Sequence, residues 1–99
     1  MAISPDDVAL QSGDARGRYV YVFPDGAEAE LAYTEPRAGL MALTHTYTPP
    51  SHRGQGVAAV LVERAVADAR RNGSKVLPAC SFAREQFALH PEWQDLAGE

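Results

Sequence analysis

Apolar and polar residues alternate along much of the first half of the chain with the two-residue period of a β-strand. Over residues 18–23, Tyr19, Tyr21 and Phe23 share one face while Val20 and Val22 take the other, so both faces suit a central strand. Ala27, Ala29, Leu31 and Tyr33 then alternate with Glu28 and Glu30, which predicts a strand with one wetted face. Between the two runs stands Pro24-Asp25-Gly26, where proline fixes φ and glycine accepts a positive one; the runs therefore read as a hairpin. A second turn is expected over residues 36–39. A third strand follows over 40–48, with Met41, Leu43, His45 and Tyr47 on one side and Ala42, Thr44, Thr46 and Thr48 on the other. A weaker run at 8–11 is read as an edge strand ahead of the hairpin.

Pro49-Pro50 closes the third strand, because proline cannot donate to a ladder. The period then changes to that of a helix over residues 56–71. At about 100° per residue, Ala58, Leu61, Val62, Ala65, Val66 and Ala69 fall in one arc, and Glu63, Arg64, Asp68, Arg70 and Arg71 are read as the opposite one. Asn72-Gly73 is a stop signal, and the paired arginines before it suit the negative end of a helix. Residues 75–80 read as a short strand and 82–89 as a helix closed by His90-Pro91. Trp93 and Leu96 are expected to anchor a last turn. The order hairpin, strand, helix, strand, helix predicts an α/β (α+β) fold: a mixed, mostly antiparallel sheet with helices packed on it. The strand–helix–strand unit is expected to cross over right-handed.

A length of 99 residues suits one compact domain over 8–99 behind a loose N-terminus over 1–7. Nine basic against thirteen acidic residues give a net charge of −4, so a nucleic acid is not an expected partner. The longest apolar run, residues 57–62, is far short of the ~20 residues that span a bilayer. The first residues lack a basic and apolar leader, and a cytoplasmic location is expected without a membrane partner. One cysteine forms neither an internal disulfide nor a cysteine-based zinc site, and the three histidines share no element, so no metal is expected. His52 and His90 read as turn residues.

The chemistry concentrates in Arg53-Gly54-Gln55-Gly56-Val57-Ala58, between the third strand and the long helix. Two glycines let the backbone turn tightly and bring N–H groups close to a ligand, while the helix start adds partial positive charge at the same point. The pair suits a pyrophosphate, although the hexapeptide by itself is equally consistent with a simple strand-to-helix turn. Position 59 is alanine, so the dinucleotide pattern is incomplete, and no Gly-Lys-Ser/Thr follows to make a nucleotide triphosphate loop. Cys80 is expected near the start of the second helix, where a thiolate is stabilised; the bland alternative is a small buried hydrophobe.

Arg53-x-x-Gly56-x-Ala58, placed after a strand and opening a helix, resembles the acyl-CoA signature of the GNAT N-acetyltransferases. Leu43-Thr44-His45-Thr46, Pro49-Pro50, the stretch 75–80, and His90-Pro91-Glu92-Trp93 with Asp95-Leu96 resemble the compact YjdJ-type branch more closely, over about residues 8–97. The resemblance implies a trimmed GNAT fold and transfer of an acetyl group from acetyl-CoA to an amine, small molecule or protein. It implies that Thr46, Tyr47 and Thr48 pair with the pantetheine arm and that Arg53, Gly54, Gln55, Gly56, Val57 and Ala58 hold the pyrophosphate. The acyl group would then sit between the strands bearing His45 and Cys80, which makes His45 the candidate general base and Cys80 a candidate nucleophile or proton donor. Larger GNAT enzymes place a tyrosine general acid after the splayed strand; here Phe82 and Phe87 flank Arg84 instead. That departure admits an alternative, a non-catalytic CoA-binding or thiol-sensing module. Monomer and homodimer are both open.

Overall fold

A computed structural model of the chain describes residues 3–98. Five strands, β1 (Ala9–Gly13), β2 (Arg16–Val22), β3 (Glu28–Arg37), β4 (Leu40–Tyr47) and β5 (Lys75–Pro78), lie in one sheet in chain order. The first four are antiparallel to their neighbours, and β5 is parallel to β4. A parallel step needs a crossover, supplied here by α1 (Val57–Asn72). The second helix, α2 (Ser81–Leu89), and a 3-10 turn over Pro91–Leu96 follow β5. This is the mixed, mostly antiparallel sheet that the residue pattern predicts.

The hairpin turn forms as its residues dictate: Gly26 has φ +90° and donates its N–H to the Phe23 carbonyl at 2.9 Å. The second turn is shorter than expected. Pro36 stays inside β3, and the chain reverses at Ala38 and Gly39. The β3–β4 register slips between Thr34 and Arg37, so the proline falls where no ladder N–H is required.

One face of the sheet carries the core. Leu61, Val62, Ala65 and Ala69 of α1 meet Tyr19, Leu31, Leu43 and Val76 of the sheet in one buried cluster. Two of the four helix residues are alanines, which lets α1 lie close to the strands. Ala83 and Phe87 of α2 join that cluster, and so does Trp93, stacked on His90 at 3.9 Å. Tryptophan acts as the expected anchor of the last turn.

Asp68 corrects the expected helix pattern, for it is buried at 4% exposure. It follows Leu61 by seven residues, about two turns, so its phase puts it beside the apolar stripe; its charge alone suggested solvent. The carboxylate accepts from the Tyr19 hydroxyl at 2.9 Å and from Arg64 at 3.2 Å, and pairs with Arg71. Arg64 also donates to the Pro5 carbonyl at 3.2 Å and stands over the Tyr19 ring. The stretch expected to be loose thus carries a 3-10 turn, Pro5–Asp7, capped by Ser4 and held against α1; Met1 and Ala2 lie outside the described residues.

Removing one partner from a buried charge-bearing network costs about 3 kcal/mol, so Asp68→Ala is expected to lose about that much stability in urea, and Tyr19→Phe about 1 kcal/mol. Burial, then the bond to Asp68, raises the Tyr19 phenol above its ordinary value of 10.0. The folded state therefore holds that proton more tightly than the unfolded state. Stability is full below about pH 10 and falls as pH rises beyond it, and that alkaline fall is expected to be smaller in Tyr19→Phe.

Candidate functional site

Strands β4 and β5 pair from Leu40–Lys75 to Leu43–Pro78 and then part. On β5, Pro78 has no N–H, and the amides of Ala79 and Cys80 both turn back to the Leu43 carbonyl at 3.0 and 2.9 Å. On β4, Thr44 is a bulge: β3 sets Ala32 opposite His45 and Tyr33 opposite Leu43, leaving Thr44 as the extra residue. Beyond it, Thr46 and Tyr47 keep β3 as neighbour but have no strand on the β5 side.

The gap opens into a cavity of about 520 Å³. Its walls are the free edge of β4 (Thr46, Tyr47) with Thr48 just after it, the loop (His52, Arg53, Gly54, Gly56), the first turn of α1 (Val57, Ala58, Ala59) and two residues of α2, Phe82 and Gln86. Gly54 and Gly56 have φ of +86° and +79°, and a Cβ at either would meet no atom within 4 Å. The left-handed backbone therefore calls for glycine, and the space above the loop stays open. Gly56 is also the N-cap of α1, where it has no side chain to satisfy the helix N–H groups. From Gly54 to Ala59, no backbone N–H donates to an acceptor among the described residues. Arg53 adds a cation, oriented by its Nε bond to the Thr48 carbonyl at 2.9 Å, and no carboxylate lines the cavity. Such an arrangement binds anions.

His52 does more than turn the chain. Its ring stacks on Phe23 at 3.8 Å and 10°, and its Nε2 lies 2.9 Å from Asp25 Oδ2. The Ala27 amide, and after it His52, hold the Asp25 carboxyl below the usual carboxylate range. The tip of the β2–β3 hairpin thereby fixes the entry to the loop.

Eight of the nine residues expected at an acyl-CoA site line this cavity; Gln55 lines a neighbouring hollow beside Tyr21 and Phe23. His45 and Cys80 are not among the lining residues. The bulge corrects the expected face of His45: Leu43 is buried, whereas His45 and Tyr47 are exposed and turned to the opposite face with Ala32 and Glu30. Cys80 is half-buried, caps α2, and accepts the Ala83 amide through its sulfur at 3.4 Å. Phe82 and Gln86 escaped the sequence reading, although their four-residue spacing puts them on one face of the helix expected there.

Residues 18–96 match a family model described as GCN5-related N-acetyl-transferase. The chain belongs to that family. The matched stretch runs from β2 to the last 3-10 turn and includes every residue of the cavity wall. A GCN5-like protein of Staphylococcus aureus, solved in solution by NMR, has the same fold at 25% identity, with a TM-score of 0.70 over 93% of this chain and 89% of that one. No helix among the described residues of this GCN5-related domain is long and apolar enough to cross a membrane.

Loss of the His52 ring should free the loop without unfolding the sheet. His52→Ala is expected to lower stability by about 1 kcal/mol, the scale of an aromatic stack, and to lower the backbone NMR order parameters at residues 54–57 more than in β2. Order parameters equal to those of the wild type would detach the hairpin tip from the loop.

Proposed function

We propose that this protein transfers an acetyl group from acetyl-CoA to an amine. The run of free amides from Gly54 to Ala59, facing a cavity whose other wall is an unpaired strand edge, carries this reading. Gly54, Gln55, Gly56, Val57 and Ala58 present their N–H groups to the pyrophosphate, and Arg53 adds charge. Thr46, Tyr47 and Thr48 offer their backbone to the amides of the pantetheine arm, much as a neighbouring strand would. When bound, acetyl-CoA supplies an activated acyl carbon as a thioester.

His45 takes the proton of the attacking amine, directly or through a water, and its exposed place on the outer sheet face brings the acceptor in from that side. Cys80, at the N-cap of α2, gives a proton to the departing CoA sulfur. In this role Cys80 forms no acetyl adduct, and bound acetyl-CoA slows its alkylation. A second reading, a CoA-binding module without turnover, draws support from one observation: neither His45 nor Cys80 lines the cavity. Free CoA released from acetyl-CoA on adding mixed amines separates the two.

Acetyl-CoA at ~100 times its Kd is expected to stabilise the wild type by ~2.7 kcal/mol, read as a rise in Tm. Gly56→Val should abolish the rise, since a branched residue neither adopts that backbone readily nor leaves the space open. A wild-type Tm unmoved by millimolar acetyl-CoA would refute the donor assignment.

If His45 is the base, His45→Ala should cut amine-dependent CoA release by roughly 10²- to 10⁴-fold while keeping the Tm rise with acetyl-CoA. Turnover preserved per folded molecule would remove His45 from the reaction.

A further inference from the structure

The sheet face turned away from α1 holds a second hollow, of about 420 Å³, between β2 and β4. Its construction follows from the register. Arg18 stands opposite Ala32, which stands opposite His45, and Arg16 stands opposite Thr34 in the next row. Ala32 has nothing beyond Cβ, so it leaves a floor between the arginines of β2 and the bulge residue Thr44, which also lines the hollow. With β3 between them, β2 and β4 lie about 10 Å apart.

The two arginines differ. Arg18 is occupied by Gln11, Glu30 and Glu28 at 2.8, 2.7 and 3.4 Å. Arg16 makes no ion pair among the described residues, and no carboxylate lines the hollow. In a protein of net charge −4, an unpaired cation thus shares this hollow with the bulge residue Thr44, one row along from Arg18, Ala32 and His45.

We propose that this hollow receives the acetyl acceptor and that the acceptor is an amine bearing an oxyanion, carboxylate or phosphate, on the same molecule. The oxyanion sits at Arg16 and the amine at Thr44, next to His45, which follows Thr44 along β4 and does not itself line the hollow. The inference rests on the acetyl-transfer reading and adds a substrate class to it. The neutral amine nitrogen bonds to the acyl carbon as the thioester C–S bond breaks. His45 receives the proton that the amine loses, the CoA sulfur receives one from Cys80, and the products are the N-acetylated acid and free CoA.

The test uses matched amines with the full chain: 4-aminobutyrate, O-phosphoethanolamine, n-butylamine and 1,4-diaminobutane. Amide NMR shifts report binding, and CoA release in the presence of acetyl-CoA reports turnover. The acidic amines are expected to shift the Thr34 and Thr44 amides and to exceed butylamine by about tenfold in kcat/KM, the scale of one charge-assisted contact. Comparing the two acids tells carboxylate from phosphate. Arg16→Gln should erase the preference and Arg16→Lys restore part of it, with the urea midpoint and the Tm rise on acetyl-CoA unchanged in both. Equal use of butylamine or the diamine, unmoved Thr34 and Thr44 amides, or a preference surviving Arg16→Gln would each overturn the inference. Failure of acetyl-CoA to raise the wild-type Tm would instead strike the acetyl-transfer reading itself, with the amide shifts still deciding whether the hollow binds an acid.

Discussion

Four residue pairs of parallel ladder hold β4 to β5, and the early end of that ladder opens the candidate site between them. Two devices on opposite strands end it at the same level. Pro78 withdraws a donor from β5, and the Thr44 bulge bends β4 and turns the alternation of its side chains over. Had the strands stayed paired, Thr46 to Thr48 would be spent on a ladder, and neither cavity wall nor free edge would exist. The bulge also decides which side chains face outward. Leu43 enters the core, and Thr44 and His45 both go to the far face, where they stand across Ala32 from Arg18.

The wedge would be of little use without a rigid helix aimed at it. Asp68 holds the middle of α1 through Tyr19 of β2, and the alanine stripe brings the helix down on the sheet. At its front end the helix forgoes a side-chain cap, at a cost of roughly a few tenths of a kcal/mol, because glycine, Gly56, occupies the N-cap. The unmet amides are the feature on which the proposed anion binding rests, so local stability is given up where a bound anion would restore it. His52, stacked on Phe23 and bonded to Asp25, limits the freedom that two adjoining left-handed glycines would otherwise give the loop. A hairpin tip distant in sequence thus serves the anion site.

The two faces of the sheet divide the labour in this reading. The helix side holds the donor against amides and a strand edge, and the far side offers an unpaired arginine, Arg16, one row along from the Arg18–Ala32–His45 row. A chain of 99 residues has little core to spare, and the one buried carboxylate among the described residues, Asp68, is fully partnered. Its buried carboxylate is therefore structural, whereas His45 is exposed and Cys80 half-buried.

Local patterns in the sequence determined most of the elements. The alternation around Tyr19 and Leu31, the helical stripe from Ala58 to Ala69, the Pro-Asp-Gly turn and the glycine loop each depend on residues within a few positions, so period and turn chemistry suffice to read them. The family resemblance of Arg53-x-x-Gly56-x-Ala58 marked eight residues that the fold gathers around one cavity. Only the tertiary structure decided the rest, because each remaining feature depends on a partner far along the chain. The bulge at Thr44 is a property of the β3–β4 register, and it sent His45 to the face opposite the one its alternation suggested. The burial of Asp68 required Tyr19, forty-nine positions away, to donate to it. The place of Pro36 inside β3 and the hold of Phe23 on His52 likewise came from chain packing against chain, which no short-range pattern encodes.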